Sequence, residues 1–174
     1  MILTSFPPIV NDAAHTLILG SMPGELSLQM SQYYAHPRNL FWPIMGELGG
    51  FDPTLPYPER IAHIQRVGFA LWDVLQHCER EGSLDTAITN EVPNNFLTFL
   101  TQYPAIHTIG FNGQKARQSF QRLVYPHLPD TLTQRLKLLP LPSTSPANAH
   151  MSRLIKIAQW AQLLSKNSYG VVAH

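Results

Sequence analysis

The sequence contains a single cysteine, Cys78, so no disulfide can form within the chain. One thiol is also too few for a four-cysteine zinc or iron–sulfur site, which excludes those classes of metalloprotein. We interpret Cys78 as a buried or partly buried thiol.

Long apolar runs are also absent. No stretch reaches the roughly 18 residues that span a membrane, and the N-terminus lacks the charged, apolar and cleavage-site pattern of a signal peptide. We therefore expect a cytoplasmic protein with no membrane partner. With 174 residues, 44% of them hydrophobic, and no biased tract, the chain is predicted to form one compact domain over 1–174 and to be a monomer.

Charge is low in total but unevenly distributed. Residues 1–88 contain four arginines and nine acidic residues, a net charge of −5, whereas residues 89–174 contain eight basic and two acidic residues, a net charge of +6. This asymmetry is typical of a protein with one anion-facing surface, such as a nucleic-acid groove. Ordinary variation of surface charge is the alternative.

Short apolar runs that end at a turn or a polar cluster predict strands, and the patterns between them predict helices. The predicted strands are His15 to Gly20, Gly68 to Trp72, Ala105 to Phe111 and Leu136 to Leu141. The predicted helices are the segment after Asn39, Tyr57 to Val67, Val92 to Thr101, the segment after Asn112, and Asn148 to Leu164. Asn39 and Asn112 are candidate N-caps of their helices.

This alternation favours an α/β fold of three layers, α/β/α, with a central, mostly parallel four-stranded sheet. Ligands of such sheets bind outside the carboxyl ends of the strands. Those ends carry GSMPG, WDV, FNGQK and PSTSP, and the glycines let the backbone approach a ligand closely. We expect the four segments to converge on one edge of the sheet and to form a site there.

A long segment, Ser21 to Arg38, connects the first predicted strand to its helix. Loops of this length inside a compact domain are usually functional. The segment and the residue after it end in QYYAHPRN, which supplies two tyrosines for stacking together with an imidazole, a guanidinium group and an amide. These groups suit a nucleobase and its phosphates.

The runs ILGSMPG, QYYAHPRNLFW, FNGQKA and LPSTSPANA follow one another along nearly the whole domain. In this order they resemble the uracil-DNA glycosylase superfamily, and most closely its family 6, the hypoxanthine-DNA (deoxyinosine) glycosylases. GSMPG stands where the mismatch-specific branch has GINPG, AHPRNLFW resembles that branch's AHPANRFW, and LPSTSP takes the place of HPSP- or NPSG-type loops. The resemblance implies the uracil-DNA glycosylase fold and DNA containing deaminated bases as the partner.

Cleavage of an N-glycosidic bond passes through an oxocarbenium-like sugar and an anionic base, so the enzyme must extrude the base, stabilise the anion and position a water. No metal or other cofactor is required, and none is expected. Many relatives position the water with an Asp or Asn in the first motif, where this chain has Met22. The resemblance to family 6 implies that Asn39 takes this role by orienting the water. The alternative is that Asn39 only caps its helix, and the two roles are compatible.

Four residues are predicted to bind the base: Met22, Tyr34, Asp73 and Asn112. Tyr34 occupies the place from which an aromatic side chain stacks on the base in related glycosylases, and a core aromatic is the alternative. Asp73 stands roughly where uracil-specific members have a base-reading Asn. Its carboxylate would attract the N1–H group of hypoxanthine and repel the bare N1 of adenine. A helix cap or a salt bridge is the alternative for Asp73, and Asn112 is a second candidate reader.

The remaining predicted contacts are to DNA. The three hydroxyls of Ser143, Thr144 and Ser145 can hold phosphates together with backbone N–H groups. The resemblance implies that this loop enters the minor groove, although Leu141 replaces the His of uracil-specific enzymes and no clear apolar wedge follows. The other predicted DNA contacts are Ser21, Pro23, Gly24, His36 and Arg38. Lys115 is expected to meet phosphate, and ordinary surface positions are the alternative for His36, Lys115, Arg153 and Lys156.

These features predict a monofunctional DNA glycosylase of base excision repair that releases hypoxanthine first and uracil second. A uracil- or mismatch-specific enzyme of the same superfamily is the alternative within this class. A non-catalytic nucleic-acid-binding module on the same fold is the alternative outside it.

Overall fold

The computed structural model describes residues 1–164 as two β-sheets with helices packed around them. The strands are β1 (Ile2–Thr4), β2 (Thr16–Gly20), β3 (Phe69–Asp73), β4 (Leu75–Glu79), β5 (Thr89–Pro93), β6 (Thr108–Asn112) and β7 (Lys137–Leu141). The helices are α1 (Glu25–Met30), α2 (Phe41–Gly49), α3 (Tyr57–Arg66), α4 (Phe96–Gln102), α5 (Gln114–Leu123), α6 (Asp130–Thr133) and α7 (Arg153–Trp160). Short 3₁₀ turns are formed by Asp85–Ala87, Tyr125–His127 and Ala161–Leu164. Residues 165–174 of the predicted domain lie outside the described residues.

The larger sheet has four parallel strands in the order β3-β2-β6-β7. Every residue of β2, β3 and β6 is buried, as expected for strands that are covered on both faces. The continuous apolar runs in the sequence reflect this double burial. The predicted four-stranded parallel sheet is confirmed.

Apolar side chains of this sheet alternate between two helical layers. In β2, Leu17 and Leu19 belong to one hydrophobic core, and Ile18 belongs to the other. The first core includes Phe96, Phe99 and Leu100 of α4 and Ala116 and Phe120 of α5. The second core includes Phe41, Ile44 and Met45 of α2, Ile64 of α3 and Trp160 of α7. The three-layer α/β/α architecture is therefore confirmed.

The sequence does not predict the second sheet, which is antiparallel and has the order β1-β4-β5. β4 follows β3 after one residue, Val74, and its register against β5 is irregular. β5 ends in a proline, so neither strand has a clear alternating pattern. The prediction of a helix from Val92 is wrong at its start. α4 begins at Phe96, and the Asn95 side chain caps it by accepting the Thr98 N–H at 3.1 Å.

Two more boundaries differ from the prediction. The segment Ser21 to Arg38 contains α1, which begins directly after Gly24 and has six residues. α7 begins at Arg153 instead of Asn148, and the Ser152 hydroxyl caps it by accepting a backbone N–H at 3.2 Å. Residues 148–152 therefore belong to the loop that follows β7.

Two histidines lie at the amino ends of the parallel strands. The rings of His15 and His107 stack with centroids 5.7 Å apart and planes 8° apart. Each Nδ1 atom is hydrogen-bonded at 2.8 Å to the hydroxyl of the next residue, Thr16 or Thr108. The Nε2 atom of His15 lies 3.0 Å from the Val67 carbonyl oxygen. Polar groups at this end of the sheet bond to one another.

Cys78 is a free, buried thiol, as the sequence predicts. Burial raises the pKa of this thiol. None of the helices within residues 1–164 has both the length and the apolar character needed to cross a membrane.

Candidate active site

The carboxyl ends of the four parallel strands line one cavity of about 920 Å³. Gly20, Asp73, Asn112 and Leu141 are the last residues of β2, β3, β6 and β7, and all four contribute to its wall. Parallel pairing places the strand ends side by side, with Gly20 opposite Asp73 and Asn112 opposite Leu141. The structure thus brings together the four segments that the sequence singles out.

Nearly all predicted site residues line this cavity, which we call the main cavity. Those that do are Ser21, Met22, Pro23, Gly24, Tyr34, His36, Asn39, Asp73, Asn112, Ser143, Thr144 and Ser145. Arg38 lies instead on a second, smaller cavity of about 330 Å³ beside it.

Two buried polar groups meet above Gly20 in the wall of the main cavity. The Tyr34 hydroxyl and the Asp73 Oδ2 atom are buried, and neither has a hydrogen-bond partner within residues 1–164. A Cβ atom at position 20 would lie 2.6 Å from Asp73 Oδ1 and 3.1 Å from the Tyr34 hydroxyl, so glycine is needed for this close approach. Because buried polar groups are nearly always hydrogen-bonded, these two are candidates for ligand contacts.

The Asp73 carboxyl group has an unusual acidity. Burial, with a smaller effect of the Asp85 carboxylate, raises its pKa to about 7, and the Arg80 guanidinium group opposes the rise. Burial and the Asp73 carboxylate also raise the pKa of the Tyr34 hydroxyl, and the nearby Asn112 side chain opposes the rise. Near neutral pH, Asp73 therefore changes between a carboxylate that only accepts hydrogen bonds and an acid that also donates one.

The two neighbouring tyrosines differ in how they are held. Tyr33 is 4% exposed, and its hydroxyl donates a 3.0 Å hydrogen bond to the Pro7 carbonyl oxygen. Tyr34 has a φ of +56°, which is uncommon for a residue other than glycine, and its ring stacks on Phe41 at a centroid distance of 4.0 Å. Such strained conformations are found more often at ligand sites than elsewhere.

Asn112 does not cap α5, which corrects the predicted capping role. The cap residue is Gly113, whose φ of +93° turns the chain away from the strand direction. The Asn112 side chain instead holds Thr144 twice: its Nδ2 donates to the Thr144 hydroxyl at 2.9 Å, and its Oδ1 accepts the Thr144 N–H at 3.0 Å. One N–H and one lone pair of the amide remain for other contacts.

Asn39 lies in a turn that is fixed from three directions. Its own N–H donates to the His36 carbonyl oxygen at 2.9 Å, and its Oδ1 accepts the Phe41 N–H at the start of α2 at 2.9 Å. The N–H of Leu40 donates to the Thr144 carbonyl oxygen at 3.0 Å and so joins this turn to the loop after β7. Asn39 is not the N-cap of α2, so its predicted capping role is wrong: the cap residue is Leu40. Asn39 still contacts the helix start through Phe41, and the second lone pair of its Oδ1 faces no described donor.

The loop after β7 is held by its own hydroxyls. The Ser145 N–H donates to Ser143 Oγ, and the Ala147 N–H donates to Ser145 Oγ, each at 3.2 Å. The Asn148 amide donates to the Ser143 carbonyl oxygen at 3.0 Å, and Lys156 Nζ donates to the Asn148 carbonyl oxygen at 2.7 Å. Lys156 is only 2% exposed, so its interpretation as a surface residue is wrong.

The connection between β4 and β5 supplies three polar residues that the sequence analysis misses. Ser83 and Asp85 line the main cavity, and Arg80 lies behind them. The Ser21 hydroxyl donates to Asp85 Oδ1 at 2.6 Å, and Ser83 Oγ accepts the first N–H of α1 at 2.9 Å. The Arg80 guanidinium group donates to the Pro23 carbonyl oxygen at 2.7 Å. These side chains hold the loop after β2. Only their polar character marks them in the sequence, because the segment has no recognisable motif.

Lys115 does not line the main cavity. It forms a 3.0 Å ion pair with Glu91, which also pairs with Arg122. Glu91 lies on β5, a strand absent from the sequence prediction, which explains why this partner is not foreseen. The part of the chain that the structure describes holds no group of three or more His, Cys, Asp or Glu side chains placed to bind a metal ion.

A sequence model of the Uracil DNA glycosylase superfamily matches residues 7–164 of this chain. The chain belongs to the uracil DNA glycosylase superfamily. The resemblance seen in the four motifs is therefore confirmed.

Curated relatives of this chain include two proteins named Hypoxanthine DNA glycosylase. The protein from Methanosarcina barkeri is 38% identical over 112 residues, which are 64% of this chain and 71% of the relative. The protein from Methanosarcina acetivorans is 33% identical over 154 residues, 88% of this chain and 92% of the relative. An NMR structure from Methanosarcina acetivorans, of a protein described as a candidate uracil DNA glycosylase, shares the fold. The TM-score is 0.79 and the sequence identity is 30%. The superposition covers 94% of this chain and 96% of that chain.

Proposed function

We propose that this protein is a monofunctional DNA glycosylase that hydrolyses the N-glycosidic bond of deaminated bases, hypoxanthine first and uracil second. The observation that carries the proposal is the unpaired Asp73 carboxyl oxygen, buried in the wall of a cavity that Asn39 also lines. A base-reading group and a water-positioning group thus line the same cavity. The names of the two curated relatives support hypoxanthine as the base.

Asp73 suits the recognition of hypoxanthine. The ionised carboxylate accepts hydrogen bonds and cannot donate, so it attracts the N1–H of hypoxanthine and repels the unprotonated N1 of adenine. Its unpaired Oδ2 has no protein donor to give up when a base enters. Asn112 stays a second candidate, but both ends of its amide already bond to Thr144. We therefore favour Asp73 as the reader and Asn112 as the residue that fixes the loop.

Asn39 suits the positioning of the water. The hydrogen bonds of its turn to His36, Phe41 and Thr144 hold the amide in place before the substrate arrives. An amide is too weak a base to ionise water at neutral pH, but the reaction is dissociative, and orientation of the water is sufficient. Met22, 7% exposed, contributes only apolar surface to the cavity.

Hydrolysis by water is expected in place of a Schiff base. Within residues 1–164, no lysine lines the main cavity, and Lys115 is paired with Glu91. Treatment of a reaction mixture with borohydride should therefore trap no covalent protein–DNA adduct. A trapped adduct would assign the enzyme to the lyase-type glycosylases.

The proposal is tested with duplexes that contain hypoxanthine, uracil, xanthine or ethenoadenine at one position, and abasic sites are measured as strand breaks after alkali. We expect the fastest release from the hypoxanthine duplex and slower release of uracil. Uracil released faster than hypoxanthine would place the chain with the uracil-specific branch. Binding of DNA with no abasic product from any duplex would identify a non-catalytic module. That the enzyme acts as a monomer in the cytoplasm stays a prediction, which size-exclusion chromatography and cell fractionation can check.

A further inference from the structure

Tyr34 contributes to the main cavity a hydroxyl that has no partner. Its ring stacks on Phe41, with centroids 4.0 Å and planes 20° apart, and Phe41 is buried in the core at the start of α2. One face of the Tyr34 ring is therefore occupied by the protein itself. The hydroxyl is buried and forms no hydrogen bond within residues 1–164. The stacking role that the sequence predicts for Tyr34 leaves this hydroxyl unexplained.

The Tyr34 hydroxyl and the Asp73 carboxyl group converge on one point of the cavity wall. A Cβ atom at Gly20 would lie 3.1 Å from the hydroxyl and 2.6 Å from Asp73 Oδ1. Asp73 Oδ2, like the hydroxyl, has no partner among residues 1–164. The Asn112 amide lies nearby, but its two hydrogen bonds go to Thr144. A buried donor and a buried acceptor thus lie side by side in the wall, and both lack partners.

The chemistry of this pair defines the base edge that it fits. A phenol donates one hydrogen bond, whereas a carboxylate only accepts. The Tyr34 hydroxyl keeps its proton at neutral pH because burial and the Asp73 carboxylate raise its pKa. Hypoxanthine presents the complementary edge, the acceptor O6 beside the donor N1–H. Adenine presents the reverse, so the carboxylate would meet a lone pair and the phenol proton would meet an N–H.

We propose that the Tyr34 hydroxyl donates a hydrogen bond to O6 of hypoxanthine while Asp73 accepts from N1–H, so that the two residues read the base together. This inference rests on the proposed function and gives its substrate class, which is bases with a ring N–H beside a carbonyl group. Xanthine carries the same edge, and ethenoadenine carries neither group. Uracil carries it as O4 and N3–H, but its smaller ring reaches the two side chains less closely, in keeping with slower release.

Guanine and thymine also carry a ring N–H beside a carbonyl group, so Tyr34 and Asp73 do not reject them. These normal bases lie in matched pairs, and extrusion costs less for a mismatched or damaged base. Selection against them therefore precedes entry into the cavity. The two side chains separate hypoxanthine from adenine and uracil from cytosine, the amino bases from which deamination produces them.

The same hydrogen bond assists the reaction. When the N-glycosidic bond breaks, its electron pair stays on the base, and the negative charge spreads over the ring and onto O6. A donor that is fixed at O6 beforehand stabilises this charge in the transition state. Loss of the Tyr34 hydroxyl should therefore lower both the affinity for the extruded base and the rate of its release.

The experiment removes the hydroxyl and the carbonyl oxygen separately and together. Duplexes carry a 2′-fluoro nucleotide, whose glycosidic bond resists cleavage, with hypoxanthine, 6-thiohypoxanthine or 7-deazahypoxanthine as the base. The sulfur analogue keeps N1–H but offers a much weaker acceptor, and the deaza analogue keeps both groups. Affinity is measured by fluorescence anisotropy for the parent, Tyr34→Phe and Tyr33→Phe. Tyr33 is the matched control because its hydroxyl already donates to the Pro7 carbonyl oxygen.

We expect the parent to bind the sulfur analogue about tenfold more weakly than hypoxanthine, the effect of one lost hydrogen bond that leaves a buried donor unpaired. Tyr34→Phe should bind hypoxanthine about tenfold more weakly than the parent does, and it should bind both bases equally. Its loss of affinity for 7-deazahypoxanthine should equal its loss for hypoxanthine. Tyr33→Phe should keep the preference for oxygen over sulfur. With cleavable duplexes, the parent should release xanthine faster than ethenoadenine.

The contact with O6 is overturned if Tyr34→Phe keeps the preference of the parent for oxygen over sulfur. Loss of this preference in Tyr33→Phe as well would assign the effect to disturbed packing. Release of ethenoadenine as fast as hypoxanthine would overturn the substrate class. The inference and the proposed function fail separately. Abasic product with an unchanged preference in Tyr34→Phe rejects only the contact, and a preference that depends on Tyr34 without abasic product rejects only the glycosylase assignment.

Discussion

At the amino ends of β2 and β6, the histidine and threonine side chains bond to one another and to the backbone, whereas at the carboxyl ends of β2 and β3 two buried polar groups have no described partner. Both ends belong to the same sheet and both contain buried polar side chains. His15 and His107 each bond to the adjacent threonine. The Tyr34 hydroxyl and Asp73 Oδ2 have no such bonds within residues 1–164.

This difference separates a structural end of the sheet from a binding end. An unsatisfied buried polar group costs about 1–3 kcal/mol of stability, so the carboxyl ends of β2 and β3 carry a cost that the histidine–threonine pairs at the amino ends of β2 and β6 avoid. Such a cost is retained where a ligand supplies the missing partner. Changes at the carboxyl end should therefore affect activity more than stability, and changes at the amino end should do the opposite.

The largest effect is expected at Asn39. Asn39→Ala should lower the single-turnover rate of hypoxanthine release at least about a hundredfold, as removal of one preorganised polar group does. Loss of the hydrogen bond to the Phe41 N–H alone would cost only about 1 kcal/mol of stability. Rates and thermal unfolding are measured on the same preparations.

The matched control is Asn39→Asp, which still accepts from Phe41 and still orients a water. It should retain more activity than the alanine variant. If both variants fold normally and cleave like the parent, the water is held by the His36 imidazole or by the hydroxyls of residues 143–145.

Asp73→Asn should change the ratio of hypoxanthine to uracil release by about tenfold, the size of one base contact. In the parent, hypoxanthine release should decrease as the pH falls below about 7, because the protonated acid no longer offers an anionic acceptor to the N1–H of hypoxanthine. The variant should lack this part of the pH profile. An unchanged substrate ratio would return Asp73 to a structural role.

Asp73→Asn should also raise the free energy of unfolding at pH values above 7. The pKa of Asp73 is higher in the folded protein than in the unfolded chain, so its ionisation destabilises the fold increasingly as the pH rises from about 4 to about 7. Asp73→Asn removes this penalty, and its free energy of unfolding at pH 8 should exceed that of the parent by about 1–2 kcal/mol. The gain, measured by urea unfolding, should shrink as the pH is lowered to 4. A gain independent of pH would contradict this account.

Tyr33 and Tyr34 test the same contrast between a hydrogen-bonded and an unpaired hydroxyl, and the expected effects are smaller. Tyr33→Phe removes the hydrogen bond to Pro7 and should lower stability by about 1 kcal/mol with little change in rate. Tyr34→Phe removes an unpaired hydroxyl and should leave stability unchanged or slightly higher, while the rate of base release falls. Thermal melts and single-turnover rates of both variants test these expectations. A stability loss in Tyr34→Phe as large as that in Tyr33→Phe would show that its hydroxyl is satisfied.

The smallest effect is expected at the amino ends. Burial lowers the pKa of both His15 and His107. The charge of His107 adds to the effect at His15, and the charge of Lys137 adds to the effect at His107. The unfolded chain therefore takes up protons first, and stability should be lost as the pH falls below about 6.5, until the folded histidines are protonated as well. His15→Asn should reduce this acid sensitivity, whereas His127→Gln, at an exposed position, should not. Equal acid sensitivity in His15→Asn and the parent would remove the histidine pair as its cause.

The parallel sheet could be predicted from the sequence because its strands are buried on both faces and therefore read as continuous apolar runs. β4 and β5 could not, since their exposed positions, register shifts and terminal proline hide the pattern. Because β5 is not predicted, the start of α4 is predicted too early. Glu91, the partner of Lys115, is missed for the same reason. α1 is short and begins after a proline–glycine pair, so the segment reads as loop.

The sequence predicts which residues line the candidate site, but it does not predict the hydrogen bonds between them. Strand ends converge by topology, so the grouping of Asp73 and Asn112 follows from the fold class. The bonding of Asn112 to Thr144 depends on the distance between two loops, which no local pattern contains. Asp85 and Arg80 come from a segment without a motif, and the second sheet places them against the loop after β2.

Thr144 joins three of the sequence motifs into one hydrogen-bonded block. Its carbonyl oxygen accepts from Leu40, its N–H donates to Asn112, and its hydroxyl accepts from the same amide. A replacement that lacks the hydroxyl leaves a buried donor on Asn112 unpaired, and a replacement of Asn112 leaves the Thr144 N–H unpaired. The hydroxyl of Thr144 and the amide of Asn112 thus act as one unit. Replacing both should therefore cost less stability than the sum of the two single replacements.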